Sequence, residues 1–227
     1  MSLRFGIAHD MRRNSKILLS LMFLLAAGLS VAGSFSAHLW LHDLSTPLAT
    51  ILLLALALSN ALAFKKRYAR WITIGLFLSL LGDIALLRPA QYFLLGLIAF
   101  LFAHVAYLIA FTRDTKFPAR LNICFLYLCV TAALYLLLFP GLTGALKLPV
   151  AVYAILLAST AGQAMGRYLL LQSRSARFAA IGALLFMLSD VLLSIDRFRA
   201  PLRQASLLVL VPYFLGQWLI ALSTFGQ

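Results

Sequence analysis

Long apolar runs broken by short polar punctuation occupy almost the whole chain. Eight of them are long enough to cross a bilayer, at roughly 17–34, 45–64, 70–87, 91–111, 121–139, 149–171, 178–195 and 204–224. The apolar residues do not alternate with polar ones, as they would along the strands of an outer-membrane barrel. Inside lipid the backbone amides find no water, so such runs must be helices. The pattern predicts an all-α membrane protein of eight transmembrane helices: a short cytoplasmic segment over 1–16, then one helical domain over 17–224. Punctuation agrees with this division. Pro47 is read as the opening of the second span, Arg88-Pro89 separates the third from the fourth, Pro140-Gly141 ends the fifth, and Pro201 lies between the last two. The connections are short, so no soluble domain is inserted.

Composition strengthens this reading. Hydrophobic residues make up 63% of the chain, more apolar surface than a soluble domain of this size can hide. The net charge of +13 raises nucleic acid as a partner. However, the Lys and Arg residues sit in short connections between spans, where topology signals belong, and are not gathered on one folded face. Fourteen of the 19 basic residues fall on the side that carries the N-terminus, Lys65–Arg70, Arg113–Arg120 and Arg167–Arg177, and five on the other. That asymmetry predicts both termini in the cytoplasm. Arg12-Arg13, the first apolar run and the small residues Val31-Ala32-Gly33-Ser34 resemble a signal peptide, but the run is long for one and is read as a retained span. Cys124 and Cys129, five apart on one helix, point in different directions and are read as small apolar filler.

The third and seventh spans match without a gap at an offset of 107. RYARWITIGLFLSLLGD (67–83) and RSARFAAIGALLFMLSD (174–190) share eight of seventeen positions, among them paired entrance arginines and a terminal aspartate, Asp83 and Asp190. The repeated helices run in the same direction, four spans apart. This predicts two halves, 17–120 and 121–224, related by an axis along the membrane normal. Under that symmetry the two aspartates lie at equal height, in the outer half, and can face one central cavity.

An ionisable residue within a span costs about 2.5–3.5 kcal/mol on insertion scales, which makes Asp83 and Asp190 functional candidates by default. Two buried carboxylates that share a cavity resist double ionisation; one protonated and one ionised group meets the requirement for paired general acid and base work. The bland alternative is that each aspartate bonds a neighbouring helix and only holds the bundle together. His104 in the fourth span can donate a proton, orient a substrate or make an interhelical bond. Tyr107 shares its helical face. Tyr213 and Gln217 form a similar stripe on the eighth span, with Tyr213 at the level of the aspartates. For all three, cavity lining and ordinary interhelical bonding are both open. Gln163, Arg167 and Asn60 lie toward the cytoplasmic halves; Arg167 is read as snorkelling to the headgroups. Gly162 and Gly166 are read as a close helix contact. His38, His42 and Asp43 cluster in what is read as the first external loop, but no HExxH or other convincing ligand set accompanies them, and no metal is expected. No Walker loop, GxSxG elbow or CxxC is present, so ATP hydrolysis, serine-hydrolase and thiol redox chemistry have no support, and no cofactor is expected.

The segments LLGDIALL (80–87), GLIAFLFAHVAYLIAF (96–111), IGALLFMLSDVLLSIDRF (181–198) and PYFLGQWLIA (212–221) resemble the YhhN membrane proteins, the bacterial relatives of mammalian transmembrane protein 86, together called the lysoplasmalogenase family. The resemblance runs from about Pro47 to the last span. It implies an eight-helix fold in the bacterial inner membrane and hydrolysis of the vinyl ether bond of lysoplasmalogen, a lysophospholipid with one alkenyl chain, to a fatty aldehyde and a glycerophospho-base. On this resemblance Asp83 and Asp190 fall on the family's GD and SD motifs, where catalytic carboxylates are suspected, and His104 on its fourth-span histidine. The chemistry implied needs no metal: one aspartic acid protonates the enol ether and the other carboxylate stabilises the oxocarbenium ion and activates water. One departure stands out. Relatives often carry Lys-Pro at the start of the second span, where this chain has Thr46-Pro47, so the headgroup preferred here is expected to differ. Buried Asp and His in two repeated halves also describe a lipid or proton-coupled transporter, and a bundle without chemistry is the third reading.

Overall fold

Eight helices run through the computed structural model, which describes residues 2–35, 39–64 and 66–225, with side chains from 14–35, 39–62 and 66–225. They are α1 (Ser2–Phe35), α2 (Leu39–Phe64), α3 (Arg67–Leu86), α4 (Pro89–Phe111), α5 (Leu121–Leu138), α6 (Gly144–Leu171), α7 (Arg174–Phe198) and α8 (Ala205–Leu222). Each is long and apolar enough to cross a membrane, and no strand is present among the described residues. The protein is an all-helical membrane bundle.

Several helices begin before the residue read as their start. The helix α1 begins at Ser2, so residues 2–16 extend the first span as helix. The helix α2 begins at Leu39, and Pro47 sits inside it. Proline removes one backbone donor but leaves the φ of the helix intact, and the helix carries on beyond it. His42 and Asp43 therefore belong to a helix and not to a loop; His38 lies outside the described residues. Pro149 is likewise internal to α6, which starts at Gly144. The helix α7 starts at Arg174, where Ser173 caps it by accepting from the amide of Ala176.

Lipid supplies no hydrophobic drive between helices, so the contacts rest on small residues and polar bonds. Alanines line the interior, among them Ala49, Ala57, Ala103, Ala110, Ala158 and Ala179, all fully buried. One tight crossing is between α7 and α8: a Cβ on Gly182 would lie 2.7 Å from the Gly216 carbonyl oxygen, and one on Gly216 would lie 2.8 Å from that of Gly182. Gly162 and Gly166 play the expected part against α5, where added Cβ atoms would meet the Cα of Cys124 and the amide of Arg120, each at 3.0 Å. Cys124 is buried and Cys129 exposed, and both are free thiols. Large residues then fill the centre, with Phe23 of α1 edge-on to Phe214 of α8 at 6.2 Å between centroids.

Polar bonds tie the ends of the helices together. Asn60 donates to the Thr224 carbonyl, and Gln163 reaches the Lys116 carbonyl and the Ala119 amide in the α4–α5 connection. Arg167 corrects the sequence reading. It does not snorkel: it is 1% exposed and clasps Asp114 through Nε and Nη2 at 2.8 and 2.7 Å. A carboxylate presented by the α4–α5 connection compensates the guanidinium where it stands, so it need not reach the headgroups.

Candidate functional site

Asp83 and Asp190 are both the seventeenth residue of their helices, counted from Arg67 and from Arg174. Both line one cavity of about 240 Å³, together with Thr46, Phe100, Ser189 and Tyr213. His42 and Asp196 also line it, and both lie near the ends where α2 begins and α7 finishes. The cavity therefore runs inward from that end of the bundle to the two carboxyl groups.

The two acids have different surroundings. Asp83 is 5% exposed, and both of its oxygens accept from hydroxyls: Oδ2 from Thr50 Oγ1 and Oδ1 from Tyr213 OH, each at 2.5 Å. Behind Tyr213 the network continues. Gln217 Nε2 donates to the Tyr213 hydroxyl at 3.2 Å and its Oε1 accepts from Tyr107 OH at 2.8 Å, while Ser79 Oγ lies 3.2 Å from the Tyr107 hydroxyl. Because Tyr213 receives the amide hydrogen, its own hydrogen is committed to Asp83. The two hydroxyls thus give each carboxyl oxygen of Asp83 a donor.

Asp190 makes one hydrogen bond, accepted by Oδ2 from Tyr153 OH at 2.6 Å. Its Oδ1 has no protein partner among the described residues. His104 Nε2 stands 3.9 Å from Oδ2, too far for a hydrogen bond. The imidazole is 2% exposed and neither ring nitrogen has a hydrogen-bond partner. Aromatic edges hold it in place: Phe186 at 4.7 Å, Tyr153 at 5.6 Å and Tyr107 at 6.1 Å between centroids. An unsatisfied, fully buried imidazole beside a carboxyl group is a costly arrangement, of the kind found where chemistry is done.

The four companions expected from the sequence thus gather around the two acids: Tyr213, Gln217 and Tyr107 behind Asp83, and His104 beside Asp190. Sequence reasoning missed Thr50 and Tyr153, the hydroxyls that hold the acids from α2 and α6. A signal for Tyr153 existed. It precedes Asp190 by the interval that separates Thr46 from Asp83, so extending the offset of 107 from α3/α7 to α2/α6 points to it. Thr50 has no such counterpart, since its match is Leu157. Thr46, the position of the Lys-to-Thr departure, lies on the cavity wall, with its hydroxyl 2.6 Å from Ser30 Oγ. His42 Nδ1 lies 3.1 Å from the Ser30 carbonyl oxygen and 3.2 and 3.3 Å from the hydroxyls of Ser30 and Thr46.

The YhhN family model matches residues 41–224, which takes in every residue of this site. The chain belongs to the YhhN family. Among characterised relatives it is 32% identical over 194 residues to lysoplasmalogenase TMEM86A of Bos taurus, covering 83% of this chain and 80% of that protein. It is 34% identical over 157 residues to lysoplasmalogenase TMEM86B of Homo sapiens, covering 69% and 64%. A lysoplasmalogenase homolog of Dictyostelium discoideum is 28% identical over 193 residues, covering 69% and 63%. No solved structure matches the chain. The alignments reach across most of this YhhN protein, well beyond the segments that first drew the resemblance.

Proposed function

We propose that this YhhN protein hydrolyses the vinyl ether bond of lysoplasmalogen or a closely related single-chain ether lipid at the Asp83–Asp190 cavity. The observation that carries the reading is the shared cavity: a buried carboxyl group, Asp83, and a half-buried one, Asp190, line one hollow from different helices. The lysoplasmalogenase relatives supply the bond to be cleaved. The roles proposed here follow the difference in surroundings. Asp83, with a hydroxyl on each oxygen, is the carboxylate. Asp190, with Oδ1 unbonded by protein, holds the proton. That proton passes to the enol-ether carbon β to the oxygen, and positive charge develops across the adjacent carbon and the ether oxygen. Asp83 stabilises the cation and takes a proton from the water that attacks it. The hemiacetal then collapses to fatty aldehyde and glycerophospho-alcohol. His104 and Tyr153 orient Asp190; Tyr107, Tyr213 and Gln217 hold Asp83.

A place for the chain adjoins the acids. A narrow apolar cleft of about 50 Å³ between α5, α6 and α7 is lined by Leu134, Leu157, Met187 and Val191, and it touches Asp190 and Tyr153. Leu137, on the lipid-facing side of α5 and 48% exposed, also lines it. In the proposed complex the headgroup sits toward His42 and Thr46, the vinyl ether at Asp190, and the chain in this cleft with its tail in lipid. Leu134→Trp narrows the cleft at a partly exposed position. It is expected to lower the kcat/KM ratio of long-chain to short-chain substrate by about tenfold, the cost of a few displaced methylenes; a chain-length series on the purified variant measures this.

The same proposal includes two four-helix halves and both termini in the cytoplasm. Several pairs support the duplication. Asn60 and Arg167, 107 apart, each tie a central helix to the end of another, α2 to α8 and α6 to α4. Asp83 is held from α2 and α8; Asp190 is held from α6 and flanked from α4. The test of function is aldehyde release from lysoplasmalogen by purified protein in detergent, set beside flux of the same lipid or of protons across liposomes. Transport without aldehyde would make the cavity a transporter's binding site and end the hydrolase reading.

A further inference from the structure

The opposite end of the bundle carries a second cleft, open and about 520 Å³ in volume. Its walls come from three places: Lys66, Arg67 and Tyr68 at the start of α3, Arg113 and Asp114 just past α4, and Arg167 on α6 with Ser173 beside it at the head of α7. Four cations line it against one carboxylate, and Arg167 already engages that carboxylate through two nitrogens. Arg167 is the unusual member. It is 1% exposed, it stacks on the Tyr68 ring at 4.8 Å, and its Nη1 has no hydrogen-bond partner. A topology signal needs only surface charge; a buried arginine with an unsatisfied nitrogen at the base of a basic cleft does not follow from it. The helix α3 adds to the field. It begins at Lys66 without a side-chain cap, so the positive end of the helix and its first amides lie at the wall.

From this arrangement we infer that the cleft binds a phosphate group, presented by an anionic lipid headgroup or by a soluble phosphate ester. A planar carboxylate is satisfied by one arginine fork, as Asp114 is by Arg167. Cations from α3, from the segment just past α4 and from α6, together with the first amides of α3, suit a tetrahedral anion with acceptors on every side. Arg67 opens one apolar span and Arg113 and Asp114 follow just past another, and span ends are where a bilayer's headgroup region begins. The site shares no residue with the carboxylate cavity and does not depend on the hydrolase reading.

The test uses full-length protein in nonionic detergent, titrated with dioctanoylphosphatidylglycerol and, separately, with sn-glycerol 3-phosphate, with binding read by thermal unfolding and native mass spectrometry. The paired variant Arg67→Gln/Arg113→Gln removes two exposed cleft cations and is expected to weaken binding by about tenfold or more, as loss of charge-assisted bonds does. The variant Arg70→Gln/Arg177→Gln makes the same change in charge at exposed positions on the same end but outside the cleft, and it is expected to bind as the parent does. Binding of the lipid alone assigns a headgroup site; equal binding of the ester assigns the soluble ligand. If neither probe binds, or if both paired variants weaken binding equally, the attraction is diffuse and the site does not exist.

Discussion

Asp190→Asn is expected to lower aldehyde release from lysoplasmalogen by about 10³-fold or more while leaving the fold intact. The amide is close to the carboxyl in size and still accepts from Tyr153 through its oxygen, so the bundle keeps its contacts. It cannot deliver a proton to carbon, and protonation of the enol ether is the step on which the rest depends. General acid catalysis contributes about 10²–10⁴-fold; of the other two acids on the cavity wall, Asp83 is held by two hydroxyls and Asp196 accepts from the Leu202 amide near the end of α7. Asp83→Asn is expected to cost somewhat less, about 10²–10³-fold, as loss of a fixed charge facing a developing cation does. It also leaves Thr50 and Tyr213 donating to a group with only one acceptor oxygen, so this variant should melt lower than Asp190→Asn. Product release measured on protein of confirmed melting temperature checks both. An Asp190→Asn protein that is folded and near parental activity would falsify the assignment of the acid.

The largest effect on stability is expected at the other end of the bundle. Asp114→Ala removes the partner of a guanidinium that is 1% exposed. Breaking a buried pair from one side costs about 3–5 kcal/mol, because the remaining charge is stranded; the low end applies here, since Asp114 is itself 36% exposed and in contact with water. Converting the pair to Asp114→Ala/Arg167→Met removes the stranded charge and is expected to recover most of the loss. Melting temperatures of the two singles and the double complete the cycle. The surface pair Asp43–Arg88, at 2.7 Å with Arg88 61% exposed, is the contrast: Asp43→Ala should melt close to the parent, because water screens both partners.

The helices were legible because each apolar run is long and the basic residues fall between them. The start of α2 was not. Pro47, His42 and Asp43 look like a loop in a linear reading, yet a helix in a low-dielectric surrounding keeps its hydrogen bonds and passes through the proline. Arg167 was misread for a related reason: its partner is 53 residues earlier in a connection, and sequence shows the charge but not the counter-charge. The acids and their companions on α4 and α8 were found because ionisable or polar residues in a span are expensive enough to draw notice. Thr50 escaped because a threonine costs little in a membrane helix and bonds its own backbone readily. What no sequence pattern conveyed is the asymmetry: the two aspartates look alike in the repeat and are unlike in their surroundings.

That unlikeness bears on how such a protein came to exist. Each acid leans on a helix from the other half: Tyr213 of α8 reaches Asp83, and His104 of α4 stands by Asp190. Under the proposed duplication, an ancestral four-helix chain could assemble a whole site only by pairing with its twin, and the twins would have presented indistinguishable acids. Fusion into one chain removed that constraint. On the roles proposed above, one copy would then be free to gain a second hydroxyl and keep its charge, and the other to make do with one and keep its hydrogen.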